Sequence, residues 1–344
     1  MILASGIVLL LAGAAISCGL LAWLRPILLR YVLAKPSARS SHSVPTPQGA
    51  GIAVIAATVL VAGASAWSAS PGMVDLMSLL AVFAAAVGLA IVGITDDIRP
   101  LEPIPRLILQ IAAVAVVIFI IPSDVRIVSA FPWWLDRAIV VVGGVWLVNT
   151  VNFMDGIDWM TVAEIVPVTA ALAVFGLMGV LPAEATIVSI ALCGAMIGFA
   201  PFNRPVAKLF LGDAGSLPIG LLLAWLLALL AGQGNPAAAL LLPLYYLADA
   251  TTTLLRRFVS GQPVTQAHRS HYYQRALDGG LTVYQIVAKV FATNIVLAGL
   301  ATLTVLCRSS SVTIAALAGG GAIVAALLWS FNRIGTKGVA KGRA

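Results

Sequence analysis

Apolar residues run without interruption for the length of a bilayer-crossing helix, and they do so along the whole chain. Such stretches lie near 3–24, 50–68, 77–95, 105–121, 136–151, 161–180, 184–201, 217–231, 236–255, 284–306 and 312–331. Each approaches the roughly 20 residues that a helix needs to cross the hydrocarbon core. In lipid every backbone N–H and C=O must be satisfied within the protein, so repeated runs of this length read as helices. Composition agrees: 61% of residues are hydrophobic and only 10% charged, against about 25% charged in a soluble domain. The expected fold is all-α: one polytopic integral membrane domain, 1–344, of about eleven transmembrane helices. The separation of the sixth and seventh spans by "GVLPAE" is the least marked boundary.

The first apolar run is long and no Lys or Arg precedes it, so it reads as a retained helix rather than a cleaved signal. Cys18, Cys193 and Cys307 form no CxxC pair, so zinc and disulfide frameworks gain no support.

The net charge of +7 is a matter of topology rather than of nucleic-acid binding. With the N-terminus outside and the C-terminus cytoplasmic, 17 of the 20 Lys and Arg fall on the inner side, leaving Arg126, Arg137 and Arg308 outside. The conspicuous polar segments share that inner face: 35–51, 93–106, 149–160, 202–216 and 256–280. The outer connections are short and chemically bland. Only Asp249 stands deep within a span, near its inner end.

"GITDDIRPLEPIPR" ends a span with adjacent Asp96 and Asp97. Carboxylates at a helix C-terminus oppose the macrodipole, so something else must favour them there. A divalent cation or general-base work suits such a pair. "NTVNFMDGIDWM" sets Asn149, Asn152, Asp155 and Asp158 at spacings of three, roughly one helical stripe, with Gly156 placed to open the helix. "FLGDAGSLPIG" holds Asp213 between glycines at the start of a span, where free N–H groups face an anion. "AHRSHYYQRAL" contributes His268, Arg269, His271 and Arg275, whose chemistry fits a diphosphate. Acidic loops and a basic loop on one face point to Mg²⁺-dependent chemistry on a phosphate ester. A secondary transporter is the rival reading, although its acids would gather at the midplane.

In this order, "RSSHSVPTPQGAGIA", "GITDDIRPLEPIPRLILQ", "NFMDGID", "FLGDAGSLPIG" and "HRSHYYQRAL" resemble the polyprenyl-phosphate N-acetylhexosamine-1-phosphate transferases. Within that family the first and last strings look most like the branch that initiates O-antigen and so lipopolysaccharide synthesis. The chain departs from the family's usual residues at Ala34-Lys35-Pro36, at Gln48 where an Arg is common, at Ala50, and at Ser270 within the His cluster. The resemblance implies transfer of an N-acetylhexosamine phosphate, or a 6-deoxy derivative, from a UDP-activated amino sugar to undecaprenyl phosphate, with release of UMP. It implies a bacterial inner membrane, with the active site facing the cytoplasm. Asp96 and Asp97 would be catalytic, and Asp213 with Asn152 would hold Mg²⁺ (or Mn²⁺ in its place). Asn149, Asp155, Asp158, Lys208, His268, Arg269 and His271 would contact substrate. Direct attack by the lipid phosphate and a covalent aspartyl intermediate both remain open, as do the choice of sugar and pairing into a homodimer.

Overall fold

The computed structural model describes residues 2–34, 46–69, 72, 74–263 and 268–341. It is a helical bundle: α1 (Ile2–Tyr31), α2 (Gly51–Ser68), α3 (Leu76–Ile98), α4 (Pro103–Phe119), α5 (Trp133–Met154), α6 (Met160–Leu177) and α7 (Ala183–Phe199), then α8 (Asp213–Gly232), α9 (Pro236–Leu241), α10 (Leu244–Val259), α11 (Tyr272–Asp278), α12 (Val283–Cys307) and α13 (Ser310–Lys341). Among the described residues, eight helices are long and apolar enough to cross a membrane. The chain is an all-α polytopic membrane protein. The apolar helices α4 and α7 are shorter, at 17 residues each. The sixth and seventh spans are separate helices, parted by a turn at 178–182.

One feature differs from the expectation. The stretch 236–255 is not one helix. It breaks between α9 and α10 at Pro243, whose ring removes an N–H from the helical ladder. A two-residue ribbon also pairs β1 (Leu33–Ala34) with β2 (Thr46–Pro47), a local pairing within the all-α fold. Between these strands, residues 35–45 lie outside the described residues, and with them most of the first polar segment.

Helix α8 is the hub. From Ala214 to Ala231 all its residues are buried, as expected of a helix that is apolar all round. It packs against α2, α3, α4, α5 and α9. At its start α2 approaches so closely that a Cβ on Gly51 would lie 2.1 Å from the Gly215 Cα, so only glycine fits there. The outer surface is the reverse of a soluble protein's, with Val8, Leu11, Trp23, Trp67, Met77, Ile91 and Trp329 exposed. That distribution suits a lipid solvent.

Some of the buried polar side chains inside the bundle are paired across helices. Glu164 of α6, fully buried, accepts from the Asn294 Nδ2 of α12 at 2.6 Å. Asp249 is therefore not the only acid deep among the helices. At one end of the bundle, Arg137 donates to the carbonyls of Ile121, Pro122 and Val125, while Asp136 accepts from the amides of Ile127 and Val128. This buried pair pins the 120–132 connection.

Candidate active site

At the opposite end, the C-termini of α3 and α5 meet the N-terminus of α8. Backbone bonds zip the entry to α2 against the segment before α8: Phe210 N–H donates to Pro47 O, Ala50 N–H to Phe210 O, and Gly51 N–H to Leu211 O. The second, third and fourth polar segments, with the described end of the first, thereby converge.

Asp97 is the keystone. Its Oδ1 accepts from Asp213 N–H at 3.0 Å and its Oδ2 from Ala214 N–H at 3.2 Å. It therefore caps the N-terminus of α8 from a different helix, with its charge at the positive end of that helix dipole. This resolves the macrodipole conflict: the carboxylate ends α3 unfavourably but starts α8 favourably. Gln48 Nε2 adds a third donor, 2.8 Å from Oδ1. Gly212 adopts φ 74°, and a Cβ there would come within 2.5 Å of the Asp97 Oδ2. Gly93 matters similarly, since its Cβ would strike the Asp213 carbonyl at 2.2 Å.

Asp96 faces the other way. It accepts from Leu101 N–H and from the Arg106 guanidinium, both at 2.6 Å. Arg106 also reaches Asp213 Oδ2 at 3.3 Å, bridging the two carboxylates. The other oxygen of Asp213 accepts from Asn152 Nδ2 at 2.7 Å, and that amide also reaches Ser216 Oγ. Asp155 accepts from Thr161 Oγ1 at 2.5 Å. Asp155 is half-buried, and the desolvation of its carboxyl, with the charges of Asp97 and Asp158 nearby, pushes it up to about 7 despite the Thr161 bond.

Other expected residues take different positions. Asn149 lies a turn deeper in α5 and pairs with Gln110 of α4 at 2.8 Å, away from the carboxylates. Asp158 is buried and accepts from Ala207 N–H at 2.9 Å, joining the third segment to the fourth. Lys208 is exposed beside it. Helix α5 ends at Met154 and opens into the polar loop that holds Gly156, where a Cβ would collide with the Tyr273 hydroxyl.

That hydroxyl donates to Phe153 O and docks α11 on the end of α5. Asp249, fully buried in α10, accepts from His271 Nδ1 at 3.1 Å and from the amides of Tyr272 and Tyr273. His271 is itself buried and stacks on Tyr273. His268, half-buried, lies 4.9 Å from it between ring centroids. Burial first, then the charges of His271, Arg257 and Arg256, pushes the His268 imidazole down to about 4, so it is neutral near pH 7. Arg269 instead pairs with Asp278 at 2.8 Å.

Arg106, Gln48, Ser216 and Thr161 were missed as site residues. Arg106 stands in the quoted "PIPRLILQ", but it registers there only as a topology charge. Its role depends on a fold-back of ten residues onto Asp96 that spacing alone does not reveal.

The donor set suits Mg²⁺ in kind, being hard oxygens from three carboxylates with an amide alongside. In this structure the Arg106 guanidinium supplies the positive charge between Asp96 and Asp213. Among the described residues no group of three or more His, Cys, Asp or Glu is arranged as a ready metal cage.

Comparison with known proteins agrees with this geometry. The family model described as glycosyl transferase family 4 matches residues 79–231, from α3 through α8. The decaprenyl-phosphate N-acetylglucosaminephosphotransferase of Mycolicibacterium smegmatis is 27% identical, over 78% of this chain and 75% of its own. A protein of Bacillus subtilis, described as a probable undecaprenyl-phosphate N-acetylglucosaminyl 1-phosphate transferase, is 26% identical over 72% and 70% respectively. The phospho-N-acetylmuramoyl-pentapeptide-transferase of Streptococcus thermophilus is 32% identical over a shorter part, 39% of this chain and 44% of its own. With the motifs in order and their acidic residues gathered at one end of the bundle, these similarities support glycosyl transferase family 4, and the chain resembles its polyprenyl-phosphate N-acetylhexosamine-1-phosphate transferases.

Proposed function

We propose that this protein transfers an N-acetylhexosamine phosphate, or a 6-deoxy derivative, from a UDP-sugar to undecaprenyl phosphate at the cytoplasmic face of a bacterial inner membrane. The product would be the lipid-diphospho-sugar that begins a surface polysaccharide such as O-antigen. One observation carries the reading: Asp96 and Asp213, from two helices, meet at Arg106 at the end of the bundle, and Asp97 holds the backbone start of the Asp213 helix. Phosphoryl transfer asks mainly for alignment and neutralisation of charge, which such a constellation can supply.

An oxygen of the lipid phosphate attacks the sugar-bearing phosphorus, and the bond to the nucleoside phosphate breaks to release UMP. Both Asp97 oxygens already accept from fixed backbone amides. This favours a carboxylate that aligns the acceptor and takes its proton over one that becomes a covalent nucleophile. Arg106 moves between carboxylate and phosphate partners, and a neutral His268 donates one hydrogen bond to the diphosphate. Asp213, with Asn152 beside it, would hold Mg²⁺, which supplies neutralisation of the developing charge when bound. An apolar groove of about 290 Å³ between α5, α8 and α9–α10 includes Gly143, Leu147, Ala228, Leu240 and Leu247. It runs from the middle of the bundle to Ile127, Val128 and Asp136 at the end opposite the carboxylates, so it marks apolar surface facing lipid and not the transfer site.

The test is purified protein with undecaprenyl phosphate, Mg²⁺ and a panel of UDP-activated N-acetylated sugars, with the lipid product identified by mass. A lipid-diphospho-sugar from at least one donor is expected. Its absence from every reaction would end the proposal.

A further inference from the structure

Helix α13 is longer than crossing a membrane requires. Its 32 residues span about 48 Å, against roughly 30 Å of hydrocarbon. Trp329 is 63% exposed, and the Arg333 guanidinium lies 5.4 Å from its ring centroid. An exposed Trp with an arginine one turn beyond it marks headgroup depth. The helix nevertheless runs on through Ile334, Gly335 and Thr336. A basic, solvated end that fixes orientation is the ordinary explanation for such an extension. It does not account for the way this end meets α11.

There, backbone meets backbone. A Cβ on Gly335 would lie 2.8 Å from the Arg275 carbonyl oxygen, and one on Gly279 would lie 2.5 Å from the Ile334 carbonyl oxygen. Each glycine thus admits the main chain of the other element, and Gly335 is buried. Gly279 has φ −78°, which any residue can adopt, so proximity rather than backbone conformation calls for glycine. By contrast, a Cβ on Gly321 of the same helix would meet nothing within 4 Å. A side chain in such a gap could turn aside, whereas main chain passes any shift of α13 on to α11.

Helix α11 needs to be held. It has seven residues, too few to stay helical unaided, so its neighbours set its position. Asp249 fixes its first turn, and the Tyr273 hydroxyl fixes its side toward α5. Its last turn rests on α13. His271 is the N-cap of this short helix, about 12 Å along the axis from Gly279, and His268 lies against His271. We infer that the cytoplasmic end of α13 positions the 268–271 segment for the sugar nucleotide, with Gly335 and Gly279 as positioning residues. That role rests on the transfer reaction proposed above.

Gly335→Ala and Gly279→Ala approach the contact from opposite sides, and Gly321→Ala is the control. The purified full chain is assayed with undecaprenyl phosphate and the UDP-sugar that wild type uses best. Both contact variants should raise the KM for that sugar nucleotide about tenfold, with kcat held within about threefold. Combining them should cost little more than either alone, because both open the same gap. Gly321→Ala should match wild type. A second arm needs no turnover: in a cysteine-free background, a nitroxide on Ser270→Cys should move more freely in both contact variants than in Gly321→Ala. An unchanged KM, or an unmoved nitroxide, in either folded contact variant would overturn the inference. So would failure of both to fold while Gly321→Ala folds, since the contact would then hold the bundle rather than the segment. A wild type that transfers nothing would end the proposed function, and the nitroxide would still decide the contact.

Discussion

Arg106 lies within hydrogen-bonding distance of Asp96 and Asp213, where like charges would otherwise face each other. Replacing it with Ala should cost about 1–3 kcal/mol in the absence of Mg²⁺, with Mg²⁺ restoring more of the thermal midpoint than it adds to wild type. A variant midpoint indifferent to Mg²⁺ would separate these carboxylates from metal binding. Asp155 gives a second test. Its pKa rises from an ordinary 3.8 to about 7 in the fold, so between those values the folded chain holds a proton that the unfolded chain has released. Stability from this group is complete below pH 4 and is lost as the pH climbs through 7. With Mg²⁺ chelated, the wild-type midpoint should therefore fall relative to Asp155→Asn between pH 5 and 7.5, by a few degrees. Parallel curves would show that the carboxyl is not desolvated. At this scale the sequence revealed the carboxylates that gather at one end of the bundle, because acids beside apolar spans are conspicuous. It concealed which donors hold them. The partners of Asp97 are two backbone amides and Gln48, none visible as a charge pattern.

Glycine decides how near the helices come. A Cβ on Gly93 would meet the Asp213 carbonyl, whereas one on Gly88, also on α3, meets nothing within 4 Å. Gly93→Ala should force α3 off the start of α8, stretching the bonds to Asp97 and lowering both folded yield and turnover at least tenfold. Gly88→Ala should fall within about 0.5 kcal/mol of wild type. Equal behaviour of the two variants would mean that the α3–α8 approach does not matter. Helix positions were legible from apolar length alone, because lipid leaves the backbone so few alternatives. The break at Pro243 was not, since proline inside a membrane helix often only bends it, as Pro26, Pro167 and Pro218 sit within α1, α6 and α8. Nor was the paired Glu164 and Asn294, whose partnership spans 130 residues of sequence.

For the whole molecule, the charge distribution foresees a polar end facing the cytoplasm. In a cysteine-free background, needed because Cys18 and Cys307 are exposed, a cysteine at Ser270 should resist a membrane-impermeant thiol reagent in intact cells and react once the membrane is opened. Labelling in intact cells would invert the orientation. The gathering of four distant motifs and the described end of the first at one end follows from helices that cross and return, so their order and spacing were enough to anticipate it. The closure of that end was hidden: Asp97 caps α8 and Asp249 caps α11, each from another helix.

The keystone position of Asp97 offers the most direct test of the catalytic reading. The measurement is lipid-linked product formed per minute by wild type and Asp97→Asn, beside the affinity of each for the sugar nucleotide. The amide oxygen keeps one of the two backbone bonds at the start of α8 and its NH2 gives up the other, so the thermal midpoint is measured alongside; in the folded variant donor binding should survive, while the lost charge and basicity should lower turnover by about 100-fold or more. Full turnover by Asp97→Asn would contradict the assignment of this carboxylate to the transfer step.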